Sequence, residues 1–107
     1  MKPLSAPELA AWLADVDRAK PLLLDVREPW ENELCRFEGA EFAPMQTVPQ
    51  RFYDWKGERD VVCICHHGGR SMHVAMFLER QGFASVFNLT GGVDAWARQV
   101  DPAMPTY

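Results

Sequence analysis

Short apolar runs alternate along this chain with segments of helical period. Three of the runs predict strands that are buried in a sheet, because each is short, continuous and bounded by polar or glycine-containing turns: residues 21–27, 61–65 and 83–89. Apolar residues three and four positions apart predict helices after Ser5, over Ser71–Gln81 and after Gly92. This alternation indicates an α/β domain with a central, mostly parallel sheet and helices on both faces.

Local signals predict where several helices begin and end. Ser5 and Glu8 have the spacing of a capping box, and Leu9, Trp12, Leu13 and Val16 extend the first helix to about 11 residues. Gly82 is placed to end the helix that begins at Ser71. Local sequence therefore predicts the start of the first helix and the end of the helix that follows the central strand.

The remaining segments are more polar. Trp30, Leu34 and Phe37 have the spacing of one short helix, and residues 48–55 predict another that begins near Pro49. Residues 39–44 predict a turn followed by a short strand. The last seven residues, 101–107, contain two prolines and predict an extended tail.

Composition narrows the class of protein. A chain of 107 residues with 48% hydrophobic and 24% charged residues is expected to form one domain, residues 1–107, around a single core. A net charge of −4 without a basic patch argues against nucleic acid or a membrane surface as a partner. The first residues lack the apolar region of a secretory signal, and three cysteines are an odd number, so we expect a cytoplasmic protein with free thiols.

The candidate chemistry lies between the central strand and the helix that follows it. Cys65 ends the strand, His66-His67-Gly68-Gly69 form the connection, and Arg70 opens the helix. Glycines let successive backbone N–H groups turn inward around an anion, and both a helix N-terminus and an arginine favour a thiolate over a thiol. We therefore predict Cys65 as a nucleophile and Arg70 as the partner of an oxyanion.

Three chemistries compete for this loop: transfer of a sulfane sulfur through a cysteine persulfide, phosphate-ester cleavage through a cysteinyl phosphate, and metal binding. Cysteine phosphatases use Cys-x5-Arg, whereas Cys65 to Arg70 is Cys-x4-Arg and Cys63 to Arg70 is Cys-x6-Arg. A structural zinc site usually adds a second ligand pair far along the chain. Here the candidate ligands fall in one short segment: Cys63, Cys65, His66, His67 and His73.

A fourth interpretation treats Cys65 as an inert buried thiol, with the histidines on the loop surface. Two glycines and an arginine directly after the cysteine favour a functional loop instead. Asp25 lies at the charged end of another predicted strand, and the carboxyl ends of parallel strands line the site in such folds, where Asp25 would cap or pin a loop. Cys35 is predicted as a packed thiol, with a resolving or relay thiol as the alternative.

Four segments then occur in a characteristic order: Leu23-Leu24-Asp25-Val26-Arg27-Glu28-Pro29 with Glu31; Cys65-His66-His67-Gly68-Gly69-Arg70-Ser71; Leu78 with Gly82-Phe83; and Leu89-Thr90-Gly91-Gly92 with Trp96. Together they resemble the rhodanese family of sulfurtransferases, in its single-domain form, over nearly the whole chain. One segment departs from the family: Cys35-Arg36-Phe37-Glu38-Gly39-Ala40 stands where Gly-His-Ile-x-Gly-Ala is usual.

The resemblance implies a rhodanese-like fold in which Cys65 is the nucleophile and carries a persulfide. A donor such as thiosulfate would give its outer sulfur to Cys65, and a thiol, cyanide or a sulfur-accepting protein would remove it. Neither a cofactor nor a metal is implied. The substrate-binding residues would be His66, His67, Gly68, Gly69, Arg70 and Arg27, with Asp25 and Ser71 supporting the loop.

Two further functions stay open beside the enzyme. The same fold could act as a persulfide carrier or protein-binding module without rapid turnover, or, less favoured by the loop length, as a cysteine phosphatase.

Overall fold

The structure is a computed structural model and describes residues 1–57 and 59–107. Within these residues, five strands form one sheet in the order β1-β5-β4-β2-β3, and every pair of neighbours is parallel. The strands are β1 (Lys2–Leu4), β2 (Leu22–Asp25), β3 (Glu41–Phe42), β4 (Val61–Ile64) and β5 (Val86–Leu89). The predicted strand that ends at Cys65 is β4, the central strand of the sheet.

Helices connect the strands in the described part of the chain. They are α1 (Ala6–Ala14), α2 (Pro29–Leu34), α3 (Val48–Arg51), α4 (Gly69–Arg80) and α5 (Gly92–Gln99), with 3-10 turns at Met45–Thr47 and Phe52–Trp55 on either side of α3. The predicted architecture, a parallel sheet within an α/β fold, is confirmed.

The core lies on both faces of the sheet because the β4 side chains alternate between the two faces. Val61, Cys63 and Cys65 belong to a buried cluster that includes residues of α3 and α4. Val62 and Ile64 belong to a second cluster that includes residues of α1 and α5. The central strand is therefore covered by helices on both sides, as the unbroken apolar run of residues 61–65 predicted.

The first helix begins as predicted and ends early. Ser5 Oγ accepts from the Glu8 N–H at 3.2 Å and the Glu8 carboxylate accepts from the Ser5 N–H at 2.8 Å, which completes the capping box. The helix ends at Ala14, so the prediction that Val16 continues the apolar face is wrong. Val16 is 92% exposed, because Asp15 is extended and turns the chain away.

The second helix confirms the predicted element but presents a different face. Trp30 and Leu34 are 54% and 47% exposed, whereas Glu31 between them is only 3% exposed. Apolar spacing predicted the helix correctly. The ion pair between Glu31 and Arg70 determines which side of the helix faces inward.

Other boundaries differ by a few residues. Helix α4 begins at Gly69, two positions before the predicted start, because Gly68 adopts a left-handed conformation (φ 107°) directly before it. Gly82 ends α4 as predicted, with φ 94° and with the Phe83 N–H donating to the Leu78 carbonyl at 3.1 Å. The three-residue edge strand β1 was not predicted.

The tail is less extended than predicted. Residues 101–104 form a turn, in which the Met104 N–H donates to the Asp101 carbonyl at 3.0 Å. Tyr107 then packs back on the loop that follows β4, with its ring stacked on His66 at a centroid distance of 3.9 Å.

Candidate active site

Cys65 lies directly after β4, at the carboxyl edge of the sheet, with a side chain that is 1% exposed. Its Sγ accepts a hydrogen bond from the Gly68 N–H at 3.1 Å and lies 3.3 Å from Ser71 Oγ. The left-handed backbone at Gly68 brings that N–H back toward the sulfur, a conformation that a residue with a Cβ rarely adopts. The sequence therefore produces a sulfur held by a tight loop at a helix N-terminus.

The loop is also held from the side of α5. The Val93 N–H donates to the Cys65 carbonyl at 2.9 Å, and the Asp94 N–H donates to the His66 carbonyl at 3.2 Å. Gly92 has φ 58°, and a Cβ at this position would lie 2.2 Å from the Cys65 carbonyl oxygen. The glycine allows the first turn of α5 to reach the Cys65 loop, where its N–H groups satisfy loop carbonyls.

Arg70 lies at the site and is already paired. Its Nη1 and Nη2 donate to the two carboxylate oxygens of Glu31 at 2.6 and 2.8 Å. This bidentate pair lowers the pKa of Glu31 to about 2, against an opposing effect of burial, and raises the pKa of Arg70. The Arg70 side chain keeps 34% exposure, so it faces both Glu31 and solvent.

Arg27 does not occupy the place predicted for it. Its side chain is fully buried, and the Asp25 carboxylate accepts from Nε at 2.9 Å and from Nη2 at 2.8 Å. Its other contacts are the carbonyls of Glu31 and Cys35 and the Tyr107 hydroxyl. The prediction that Arg27 anchors an anion is wrong, because its donors are used inside the protein.

Asp25 supports the site through intermediates. In the described part of the chain its carboxylate accepts hydrogen bonds from Arg27 and Asn32, and from no residue of the loop of residues 65–70. Arg27 in turn holds the carbonyl of Glu31, the residue that pairs with Arg70. The predicted bracing role is therefore corrected: Asp25 fixes Arg27 and α2 rather than the loop itself.

The two loop histidines have different surroundings. The ring of His66 is stacked on that of Tyr107, and its Nε2 is buried without a hydrogen-bond partner. Burial and the neighbouring His67 lower the pKa of His66. His67 is 67% exposed, with Nδ1 3.9 Å from the Asp94 carboxylate. Of the two, only His67 projects freely toward solvent.

Ser71 and Asn88 are buried together beneath the loop. The Ser71 hydroxyl donates to Asn88 Oδ1, and Asn88 Nδ2 donates to the Gly68 carbonyl at 3.1 Å. Ser71 is thus linked through Asn88 to the Gly68 carbonyl of the loop, and its supporting role stays a prediction. Asn88 was missed, although a polar residue inside the apolar run Val86-Phe87-Asn88-Leu89 was the available signal.

The other two thiols lie deep in the protein. Cys63 is fully buried, and burial together with the neighbouring Cys65 raises its pKa to about 12. Cys35 belongs to the core cluster on the opposite face of the sheet from Cys65, and its Sγ lies 3.7 Å from Arg27 Nη1. Its surroundings fit the prediction of a packed thiol.

Among residues 1–57 and 59–107, no three His, Cys, Asp or Glu side chains come together as a metal ion would require. Their helices are also too short or too polar for any of them to cross a lipid bilayer.

A pocket of about 230 Å³ opens beside the loop. Its lining includes His67, the backbone of Gly68 and Gly69, Met72 and Asn88. His67, Gly68 and Gly69 of the loop therefore border open space, whereas Cys65 and Arg70 are not part of the lining of this pocket.

Comparison with known proteins agrees with this geometry. The family model of the rhodanese-like domain matches residues 5–99. A protein called sulfurtransferase from Allochromatium vinosum is 37% identical over 95 residues, which cover 89% of this chain and 87% of that protein. The chain belongs to the rhodanese-like family, and this relative supports a sulfurtransferase.

A longer relative and a solved structure also match the whole chain. The chloroplastic rhodanese-like/PpiC domain-containing protein 12 of Arabidopsis thaliana is 39% identical over 114 residues, and the match covers 100% of this chain but only 38% of that protein. The crystal structure of a rhodanese-like domain protein from Staphylococcus aureus superimposes with a TM-score of 0.84 at 26% identity, covering 100% of this chain and 99% of the other.

Proposed function

We propose that this protein transfers a sulfane sulfur from a small donor such as thiosulfate to a thiol or cyanide, through a persulfide on Cys65. The observation that carries the proposal is the position of Cys65 Sγ in a glycine-containing loop, 3.1 Å from the Gly68 N–H and within 3.3 Å of Ser71 Oγ. A hydrogen-bond donor at the sulfur, here the Gly68 N–H, stabilises the negative charge of a thiolate or persulfide.

The reaction has two displacements at sulfur. The Cys65 thiolate attacks the outer sulfur of thiosulfate, a new S–S bond forms, and the bond to the inner sulfur breaks with its electron pair leaving on sulfite. The acceptor thiolate or cyanide then attacks the outer sulfur of the persulfide. That step releases a new persulfide or thiocyanate and returns the electron pair to Cys65 as a thiolate.

The proposed roles of the other loop residues follow from their positions. Gly68 and Gly69 present backbone to the pocket beside the loop, and His67 is exposed at its edge. Arg70 retains exposed surface and a full positive charge for an anionic donor, although Glu31 holds it in place. His66 shapes the wall beneath Tyr107 rather than contacting the donor.

Steady-state turnover tests the enzymatic proposal. With thiosulfate and cyanide, the wild-type chain is expected to produce thiocyanate, and Cys65→Ser is expected to produce none. Cys63→Ser is the matched control, since Cys63 is two positions away and fully buried. Equal turnover by wild type and Cys65→Ser would refute the assignment of the nucleophile.

A second candidate, a persulfide carrier served by partner proteins, is favoured by a specific observation. The nucleophile is 1% exposed and the arginine of the loop is occupied by Glu31, so a small free anion meets a restricted site. A stable persulfide combined with slow turnover of small donors and acceptors would favour this candidate. A mixed disulfide trapped at Cys65 would then identify the sulfur-accepting protein.

The phosphatase alternative has less support, because Arg70 faces Glu31 and the loop is one residue shorter than Cys-x5-Arg. We expect no hydrolysis of an aryl phosphate. A cytoplasmic location stays a prediction from the sequence.

A further inference from the structure

The groups beneath the loop form a closed ring of contacts around the sulfur. Gly68 N–H donates to Cys65 Sγ, the Gly68 carbonyl accepts from Asn88 Nδ2, and Asn88 Oδ1 accepts from the Ser71 hydroxyl. Ser71 Oγ closes the ring at 3.3 Å from Sγ. We propose that Asn88 is a positioning residue for Cys65, which acts through Gly68 on one side and Ser71 on the other.

The direction of each hydrogen bond in the ring follows from the Gly68 carbonyl. A carbonyl only accepts, so the amide nitrogen of Asn88 must face Gly68 and its oxygen must face Ser71. Ser71 has a single hydroxyl proton, which therefore goes to Asn88. The Ser71 oxygen is then left facing the sulfur with its lone pairs, and it accepts from the Cys65 S–H when the thiol is protonated.

This arrangement changes when Cys65 reacts. A thiolate or a persulfide has no S–H to donate to Ser71, so a bond between Ser71 and the sulfur needs the proton that Asn88 holds. Asn88 and the sulfur therefore compete for one proton, and Asn88 sets the orientation of Ser71 in the resting state. The Asn88 amide nitrogen also donates to the Gly68 carbonyl, and this bond orients the Gly68 residue so that its N–H points at the sulfur.

Burial makes the ring rigid and its partners hard to replace. Ser71 is fully buried and Asn88 is 4% exposed, so neither can readily exchange its partner for water. Asn88 lies on β5 and Ser71 on α4. The position of the sulfur thus depends on the packing of a helix against the neighbouring strand.

The first test measures alkylation of Cys65 by iodoacetamide, located by peptide mapping, in variants of the ring. Asn88→Ala is expected to slow alkylation only about threefold, because the lost hydrogen bond to Gly68 is partly offset by the Ser71 proton, which can now reach the thiolate. In a Ser71→Ala background the same change should slow alkylation about tenfold, the size of effect for one well-placed hydrogen bond, because no Ser71 proton is present to offset the lost contact with Gly68. An equal factor in both backgrounds would overturn the proposal.

Two further variants separate positioning from loss of stability. Asn88→Asp keeps the shape of the side chain but loses the donor to Gly68, so it too should slow alkylation, and it serves if Asn88→Ala does not fold. Val86→Ala removes buried volume from the same strand without removing any hydrogen bond of the ring. If Val86→Ala slows alkylation as much as the Asn88 variants at equal thermal stability, or Asn88→Asp reacts like wild type, the positioning role is refuted.

A kinetic readout connects the ring to sulfur transfer. This part rests on the proposed function, in which Cys65 carries the sulfur. Asn88 is expected to affect kcat for sulfur uptake and to leave the KM for thiosulfate unchanged, since both ends of its amide are bonded to Ser71 and Gly68 rather than free for the donor. A raised KM with unchanged kcat would contradict the proposal. If wild type takes up no sulfur at all, the proposed function fails, while the alkylation series still decides the role of Asn88.

Discussion

Two arginines near the site show how different roles arise from the same residue type. Arg27 is fully buried and neutralised by Asp25, while Arg70 is one third exposed and paired with Glu31. A buried guanidinium without its carboxylate would be very unfavourable, so the Arg27–Asp25 pair is part of the framework. Arg70 alone combines a fixed position with access to solvent, which suits it to an anionic donor.

The Arg70–Glu31 pair predicts a specific dependence of stability on pH. The usual pKa of 4.5 for Glu31 falls to about 2 in the folded protein, so the folded state binds this proton less readily than the unfolded state. The stabilisation from Glu31 is therefore fully present above pH 4.5 and is lost as the pH falls toward 2.

Glu31→Gln tests that dependence. We expect it to lower the free energy of unfolding by about 1.5 to 3 kcal/mol at neutral pH, the range for a hydrogen bond to a charged group. Denaturant titrations should show the difference from wild type shrinking in acid. Glu33→Gln, an exposed position on the same helix, is the control. A difference that stays constant down to about pH 3 would contradict the lowered pKa of Glu31.

At the scale of elements, the sequence predicted what depends on local pattern. The apolar run of β4, the glycines after Cys65 and the capping box at Ser5 each act within a few residues, and each element appears. The inward face of α2 depends instead on Arg70, 39 residues away, and so Glu31 rather than Trp30 is buried. Periodicity carries no information about such a distant partner.

The same limit explains Asn88 and Arg27. Asn88 is buried because its partners, Ser71 and Gly68, lie on distant segments, and the sequence shows only an isolated polar residue in an apolar run. Arg27 is buried because Tyr107 and the carbonyls of Glu31 and Cys35 join Asp25 around its guanidinium, which the sequence does not show. The edge strand β1 contains three residues including Pro3, which is too short for any periodic signal.

The contact between α5 and the loop gives a prediction at this scale. Gly92→Ala should lower the free energy of unfolding by about 3 kcal/mol, because the new Cβ meets the Cys65 carbonyl oxygen and the backbone is left-handed. Gly69→Ala is the matched comparison, since its Cβ meets nothing within 4 Å. Denaturant titration should show Gly69→Ala at wild-type stability or slightly above it. Equal losses in the two variants would argue against the close approach.

At the scale of the whole molecule, the site is built from segments that are distant in sequence. The β4–α4 loop holds the sulfur, α5 supports its carbonyls, α2 places Glu31 against Arg70, and Tyr107 covers His66. These segments meet because parallel strands put the connections that follow them at one edge of the sheet. The family match covers residues 5–99, so Tyr107 lies beyond the matched residues.

The most direct test of the account is the mass of the intact protein after incubation with thiosulfate. We predict the addition of one sulfur atom, mapped to Cys65, absent in Cys65→Ser and retained in Cys63→Ser. An adduct that persists in Cys65→Ser, or no adduct from thiosulfate or any other sulfane sulfur donor, would contradict the central claim that Cys65 carries the transferred sulfur.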